Sequence, residues 1–103
     1  MDLKTQKSGS DLTIKIKGDL NTVTAPDLSD LINKELTADI KSVTLDLDGC
    51  KYVSSAGLRV LLITYKTMQK NNGSMHLINV CETIKSVLEE TQLDSIFDIR
   101  EKE

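Results

Sequence analysis

The 103-residue sequence is short of the residues on which most site chemistry depends. It has one histidine (His76), two cysteines (Cys50 and Cys81), no tryptophan, and only two tyrosines and one phenylalanine. A lone imidazole and two cysteines thirty-one positions apart, with no Cys-x-x-Cys pair, supply neither a metal site nor a dithiol motif from local spacing. Both thiols are therefore expected to be reduced, buried small residues. So few aromatics leave no stacking platform for bases or sugars. A Gly-rich phosphate loop with a following lysine is missing too, so no cofactor is expected.

Positive charge is also scarce. Thirteen Lys and Arg against sixteen Asp and Glu give a net charge of −3 and a pI near 5.1, and the basic residues are scattered. That balance argues against nucleic acid as a partner. No apolar run approaches the ~20 residues that cross a bilayer, and Met1-Asp2-Leu3-Lys4 lacks the apolar core of a secretory signal. The expectation is a cytoplasmic chain without a membrane partner, with residues 1–103 forming one domain.

What is present is periodicity. Leu12 to Lys17 and Val43 to Asp48 alternate apolar and polar residues, as half-buried strands do, and each run ends at a glycine, Gly18 and Gly49. Leu3 to Lys7 is expected to pair with the first of these as a hairpin across Ser8-Gly9-Ser10. Thr24-Ala25-Pro26-Asp27 has the form of a helix start, with Thr24 as cap and Asp27 three residues on as in a capping box. Leu28, Leu31, Ile32 and Leu36 then share one face.

Leu58, Leu61, Leu62, Tyr65 and Met68 mark a second helix over Gly57–Lys70, with Val60 and Ile63 widening its apolar stripe and Asn71-Asn72-Gly73 as a left-handed stop. Ser74 to Val80 is expected as a strand, with His76 a polar neighbour of Met75 and Leu77. Glu82 to Glu90 is expected as a helix, and Leu93 to Ile99 as a closing segment. Strands alternating with helices after a hairpin predict an α/β fold with a mixed, mostly parallel sheet of four to five strands. The clean alternation predicts helices packed mainly on one face, with Thr44 and Asp46 on the wetter side.

Ser54 and Ser55 lie at the start of the second helix. A serine there commonly caps the helix, which accounts for one hydroxyl more readily than for two. Hydrolytic use would need a base and an orienting group, yet His76 lies in a predicted strand and Val53 occupies the glycine position of a Gly-x-Ser-x-Gly elbow. No catalytic residue is assigned, and Asp46 and Asp48 are taken as solvated carboxylates. A phosphate on either serine would meet free N–H groups and the positive end of the helix dipole.

The order of elements, with Ile16 to Asn21, Thr24-Ala25, Val43 to Leu47, Val53-Ser54-Ser55-Ala56-Gly57-Leu58 and Leu93 to Phe97, resembles the free-standing bacterial STAS domain, the sulfate transporter and anti-sigma factor antagonist family. The resemblance implies a non-enzymatic partner switch. The unmodified domain would bind an anti-sigma factor with serine kinase activity, phosphorylation would release it, and a serine phosphatase would reset it. It implies Ser55 as acceptor, with Ser54 as the alternative register, and a partner surface of Asp19, Asn21, Thr22, Ser54, Ser55, Ala56, Gly57, Leu58 and Arg59. A phosphorylation-independent binding module of the same fold is the competing expectation. Asn21 and Ser54 stand where the family commonly carries acids, and Gln92 stands where a helix-ending glycine is usual, a position that would strain a glutamine by roughly 1 kcal/mol.

Overall fold

The computed structural model describes residues 1–100. Its elements are β1 (Asp2–Ser8), β2 (Asp11–Lys17), α1 (Ala25–Glu35), β3 (Ser42–Gly49), α2 (Ser55–Lys70), β4 (Ser74–Ile78), α3 (Glu82–Glu90), a 3₁₀ turn at Leu93–Ser95 and β5 (Asp98–Arg100). The five strands lie side by side in chain order, β1-β2-β3-β4-β5. Among the described residues only the β1–β2 pair is antiparallel, closed by a tight turn in which Gly9 takes a φ of 63°. The other three pairs are parallel. This is the mixed, mostly parallel sheet that the alternation of elements predicts.

Register converts the alternating sequence into one covered face. Ile14, Leu45 and Leu77 stand in one row across β2, β3 and β4, and each is fully buried. Leu12, Val43 and Met75 make a second row. Leu28 and Ile32 of α1, Leu61 and Met68 of α2, and Ile84 and Leu88 of α3 complete the same core. Each such Leu or Ile contributes about 1.5–3 kcal/mol by leaving water, so these two rows and three helix stripes are the main apolar contribution to holding the layers together. The intervening residues Thr13, Thr44, His76 and Asp98 form a row on the uncovered face. Thr44 and Asp46 are only half-buried, on the wetter side as expected.

Several local expectations shift. Helix α2 begins at Ser55, two residues before Gly57, because the capping serine lies one position earlier than Ser55. Ile63, assigned above to the buried stripe, is 56% exposed. Helix α2 buries Gly57, Leu61, Thr64 and Met68, and Ile63 is rotated away from that line. The buried Thr64 hydroxyl is satisfied by the Val60 carbonyl at 2.8 Å.

Within the predicted stop Asn71-Asn72-Gly73, Asn72 is the left-handed residue, with φ 59°. Gln92 keeps the left-handed turn at φ 62° despite its side chain. The closing segment contains the additional strand β5, beyond the resolution of a three-residue pattern in sequence. Cys50 is buried as expected, whereas Cys81, at the start of α3, is only half-buried. Burial raises the Cys50 thiol pKa above its ordinary value.

Candidate functional site

Past the ends of β2 and β3 the chain continues to pair. The Gly18 N–H donates to the Gly49 carbonyl at 2.9 Å, the Leu20 N–H to the Tyr52 carbonyl at 2.9 Å, and the Ser54 N–H to the Leu20 carbonyl at 2.8 Å. An isolated parallel bridge joins Leu20 to Val53, and both side chains are buried. This knot joins two segments more than thirty residues apart in sequence. Asp19, Asn21 and Thr22 therefore share one edge with Ser54 and Ser55.

The turn entering α1 is held by Asn21. Its Oδ1 accepts from the Val23 N–H at 3.0 Å and the Thr24 N–H at 3.1 Å. The Thr24 hydroxyl donates to the Asp19 carbonyl at 2.7 Å and accepts from the Asn21 N–H at 2.9 Å. The predicted capping box is thus absent: Thr24 occupies the cap position with helical φ and ψ, and its hydroxyl makes no cap bond into α1. An amide oxygen three residues upstream satisfies the turn instead, by the Asx geometry open to asparagine. Asn21 thereby closes the turn into α1.

The two serines separate cleanly. Ser54 is extended, its Oγ accepts from the Gly57 N–H at 3.3 Å, and its carbonyl accepts from Leu58 N–H at 2.9 Å. It is the cap. Ser55 is the first helical residue and is exposed, and its hydroxyl has no hydrogen-bond partner among the described residues. Arg59, one turn further, is also exposed. Ala56 and Leu58 are half-buried.

Gly57 is buried and offers no side chain to a partner. A Cβ there would lie 2.7 Å from Val53 Cγ2, 2.8 Å from Leu20 Cγ and 2.9 Å from the Leu20 carbonyl oxygen. Glycine at this position lets α2 sit directly on the Leu20–Val53 bridge.

No triad forms around the serines. His76 lies on the uncovered sheet face, opposite the helices, with its Nδ1 2.9 Å from Asp98 Oδ2. Arg100 bonds the same carboxylate at 2.9 Å. The Arg100 hydrogen bond, followed by that of His76, holds the Asp98 carboxyl below its ordinary pKa. Asp46 is not simply solvated: its Oδ1 accepts from Asn79 Nδ2 at 2.8 Å and from the Asp48 N–H at 3.0 Å. No group of three His, Cys, Asp or Glu among the described residues is placed to hold a metal ion. No helix of the described residues is long and apolar enough to cross a membrane.

The model of the STAS domain family matches residues 2–103. The chain belongs to the STAS domain family. Among curated proteins, this STAS chain is 28% identical over 104 residues to the anti-sigma-B factor antagonist of Bacillus subtilis, covering 99% of the chain and 93% of that protein. Among solved structures, it superposes on the Thermotoga maritima protein TM1081 with a TM-score of 0.90 at 20% identity, covering 98% of the chain and 86% of the other. It superposes on the phosphorylated form of the Bacillus cell fate determinant SpoIIAA with a TM-score of 0.80 at 12% identity, covering 99% and 92%. At these identities the two structural likenesses establish the fold.

Two features of the edge have no counterpart in the sequence reading. Val23 projects from the Asn21 turn with 81% of its surface exposed, and Tyr52, beside the bridge, is 48% exposed. The available signal was weak: Val23 is an apolar residue in an otherwise polar turn with no periodic partner.

Proposed function

We propose that this STAS domain is a non-catalytic anti-sigma factor antagonist that switches partners through phosphate on Ser55. The reading rests on one observation above all. Ser55 presents an exposed hydroxyl with no hydrogen-bond partner among the described residues on the first turn of α2, while Ser54 is occupied as the cap. The relative in Bacillus subtilis is named an anti-sigma-B factor antagonist, and SpoIIAA has the same fold in a phosphorylated form.

In this mechanism the unmodified edge, formed by Asp19, Asn21 and Thr22 with residues 54–59, binds an anti-sigma factor that is also a serine kinase. Transfer of phosphate to Ser55 adds roughly −1.5 to −2 charges at that edge. The start of α2 tolerates the anion through its free N–H groups and dipole, so the scaffold stays folded while the contact is lost. A serine phosphatase returns the domain to its binding form.

The test is incubation with the cognate kinase and ATP followed by intact mass. The wild type should gain one phosphate and Ser55→Ala none; equal gain by both would reject the acceptor assignment. Ser55→Asp should weaken kinase binding far more than Ser55→Ala. Equal affinities would instead favour the phosphorylation-independent binding module.

A further inference from the structure

Helix α2 differs in charge from the rest of the chain. Its charged residues are Arg59, Lys66 and Lys70, all cationic, in a protein whose net charge is −3. Helix α1 carries Asp27, Asp30 and Glu35 beside Lys34, and α3 carries Glu82, Glu89 and Glu90 beside Lys85. On α2, Arg59, Ile63, Lys66 and Lys70 are all exposed, and their spacings of four, three and four align them along one face. None of the three cations makes an ion pair with a carboxylate among the described residues. Ile63 stands at the centre of this unpaired stripe, beside the shallow cleft between α1 and α2 lined by Ile32, Leu36, Val60 and Thr67. Ser55 stands at its N-terminal end, four residues before Arg59.

We infer that this outward face of α2 receives an acidic, amphipathic segment of the partner, and that Arg59 passes from a partner carboxylate to the phosphate when Ser55 is modified. The inference rests on the partner-switch reading and specifies its chemistry. Unpaired cations flanking one exposed isoleucine match carboxylates flanking an apolar side chain. Side chains four apart on a helix are neighbours, about 5–6 Å between Cβ atoms, so a phosphate on Ser55 lies within reach of the Arg59 guanidinium. That pairing withdraws one cation from the partner while the phosphate repels the partner's carboxylates. A lipid surface fits less well, because the remaining apolar face of α2 is spent on the core and the protein is acidic overall.

Two experiments decide it. In the first, phosphoserine is installed chemically at position 55, so no kinase is required, and the phosphate is titrated by ³¹P NMR in the wild type, Arg59→Gln and Arg59→Lys. The wild-type phosphate should half-titrate at a proton concentration roughly twofold higher than in Arg59→Gln, the shift an i, i+4 ion pair produces, with Arg59→Lys between them. Coincident curves would overturn the transfer of Arg59, even if no kinase proves to modify Ser55.

In the second, the kinase identified by Ser55 phosphorylation is titrated against Arg59→Glu, Lys66→Glu and, as a control, Glu89→Lys. The first two should lose about tenfold or more in affinity and Glu89→Lys less than twofold, with wild-type affinity falling as salt rises. Equal affinity across all three would remove the stripe from the interface. Sedimentation of the unmodified protein with phosphatidylserine vesicles, abolished by Arg59→Glu, would make the stripe a lipid site and overturn the protein partner.

Discussion

Replacing Gly57 by alanine sets two effects of opposite sign against each other. Helix propensity favours alanine by about 1 kcal/mol in a helix interior, and by less at the third helical position where Gly57 sits. Packing opposes it. The added methyl would lie 2.7–2.9 Å from three atoms, two in the buried side chains of Val53 and Leu20, the third the Leu20 carbonyl oxygen. That oxygen is fixed by the Ser54 N–H at 2.8 Å, so it cannot retreat without breaking the knot between the two loops. Overpacking of this kind costs about 1–3 kcal/mol. The net expectation is a loss of about 1–2 kcal/mol, read as a lower urea midpoint at unchanged slope, or as a fall in melting temperature of about 4–8 °C per kcal/mol for a domain of this size. The same displacement should loosen the contact between the Asn21 turn and Ser54, seen as faster amide exchange at Leu20 and Ser54. An alanine variant as stable as the wild type, with those amides still protected, would refute the claim that α2 rests on the bridge through Gly57.

Three further outcomes are expected. Asn21→Ala should lose about 1–2 kcal/mol by orphaning the Val23 and Thr24 N–H groups, while Asn21→Asp, which keeps the acceptor oxygen, should stay within ~0.5 kcal/mol of wild type in the same denaturation assay. Gln92→Gly should raise stability by about 0.5–1 kcal/mol, because φ 62° carries no penalty for glycine; a drop would show that the Gln92 side chain offsets its own strain. Cys81 should be labelled by a maleimide in the native protein well before the buried Cys50, whose raised pKa further suppresses its thiolate, and simultaneous labelling at neutral pH would contradict the burial of Cys50.

Much of this architecture was legible in the sequence because it is carried by period. The alternation in Leu12 to Lys17 and Val43 to Asp48 gave both the strands and the side that faces the helices, and Leu61 with Met68 gave the buried line of α2. What escaped depended on contacts between distant residues. Thr24 looked like a helix cap because local spacing cannot show that its hydroxyl turns back to Asp19 while the Asn21 amide takes over the turn. Ile63 looked like core because a widened apolar stripe does not reveal how much of a helix its neighbours cover. Strand β5 is too short to show a period, and it is joined to β4 by its parallel pairing and by His76 on the Asp98 carboxylate. At the candidate site, the two serines were visible but their division of labour was not. The hydrogen bond from the Gly57 N–H and the extended backbone of Ser54 assign the cap to Ser54, and the Ser55 hydroxyl has no hydrogen-bond partner among the described residues.

The sheet's strand order, identical to the order of synthesis, bears on how the chain is built. Many α/β sheets leave a gap that a late strand must enter between two already placed. Here every new strand meets a finished edge: the hairpin of β1 and β2 is a local template, and β3, β4 and β5 add one after another on the same side. Each parallel addition closes a crossover that passes one α-helix between neighbouring strands, so no strand has to cross over another to find its partner. A nascent chain emerging N-terminus first can therefore grow its core progressively, with a single growing edge exposed at each stage.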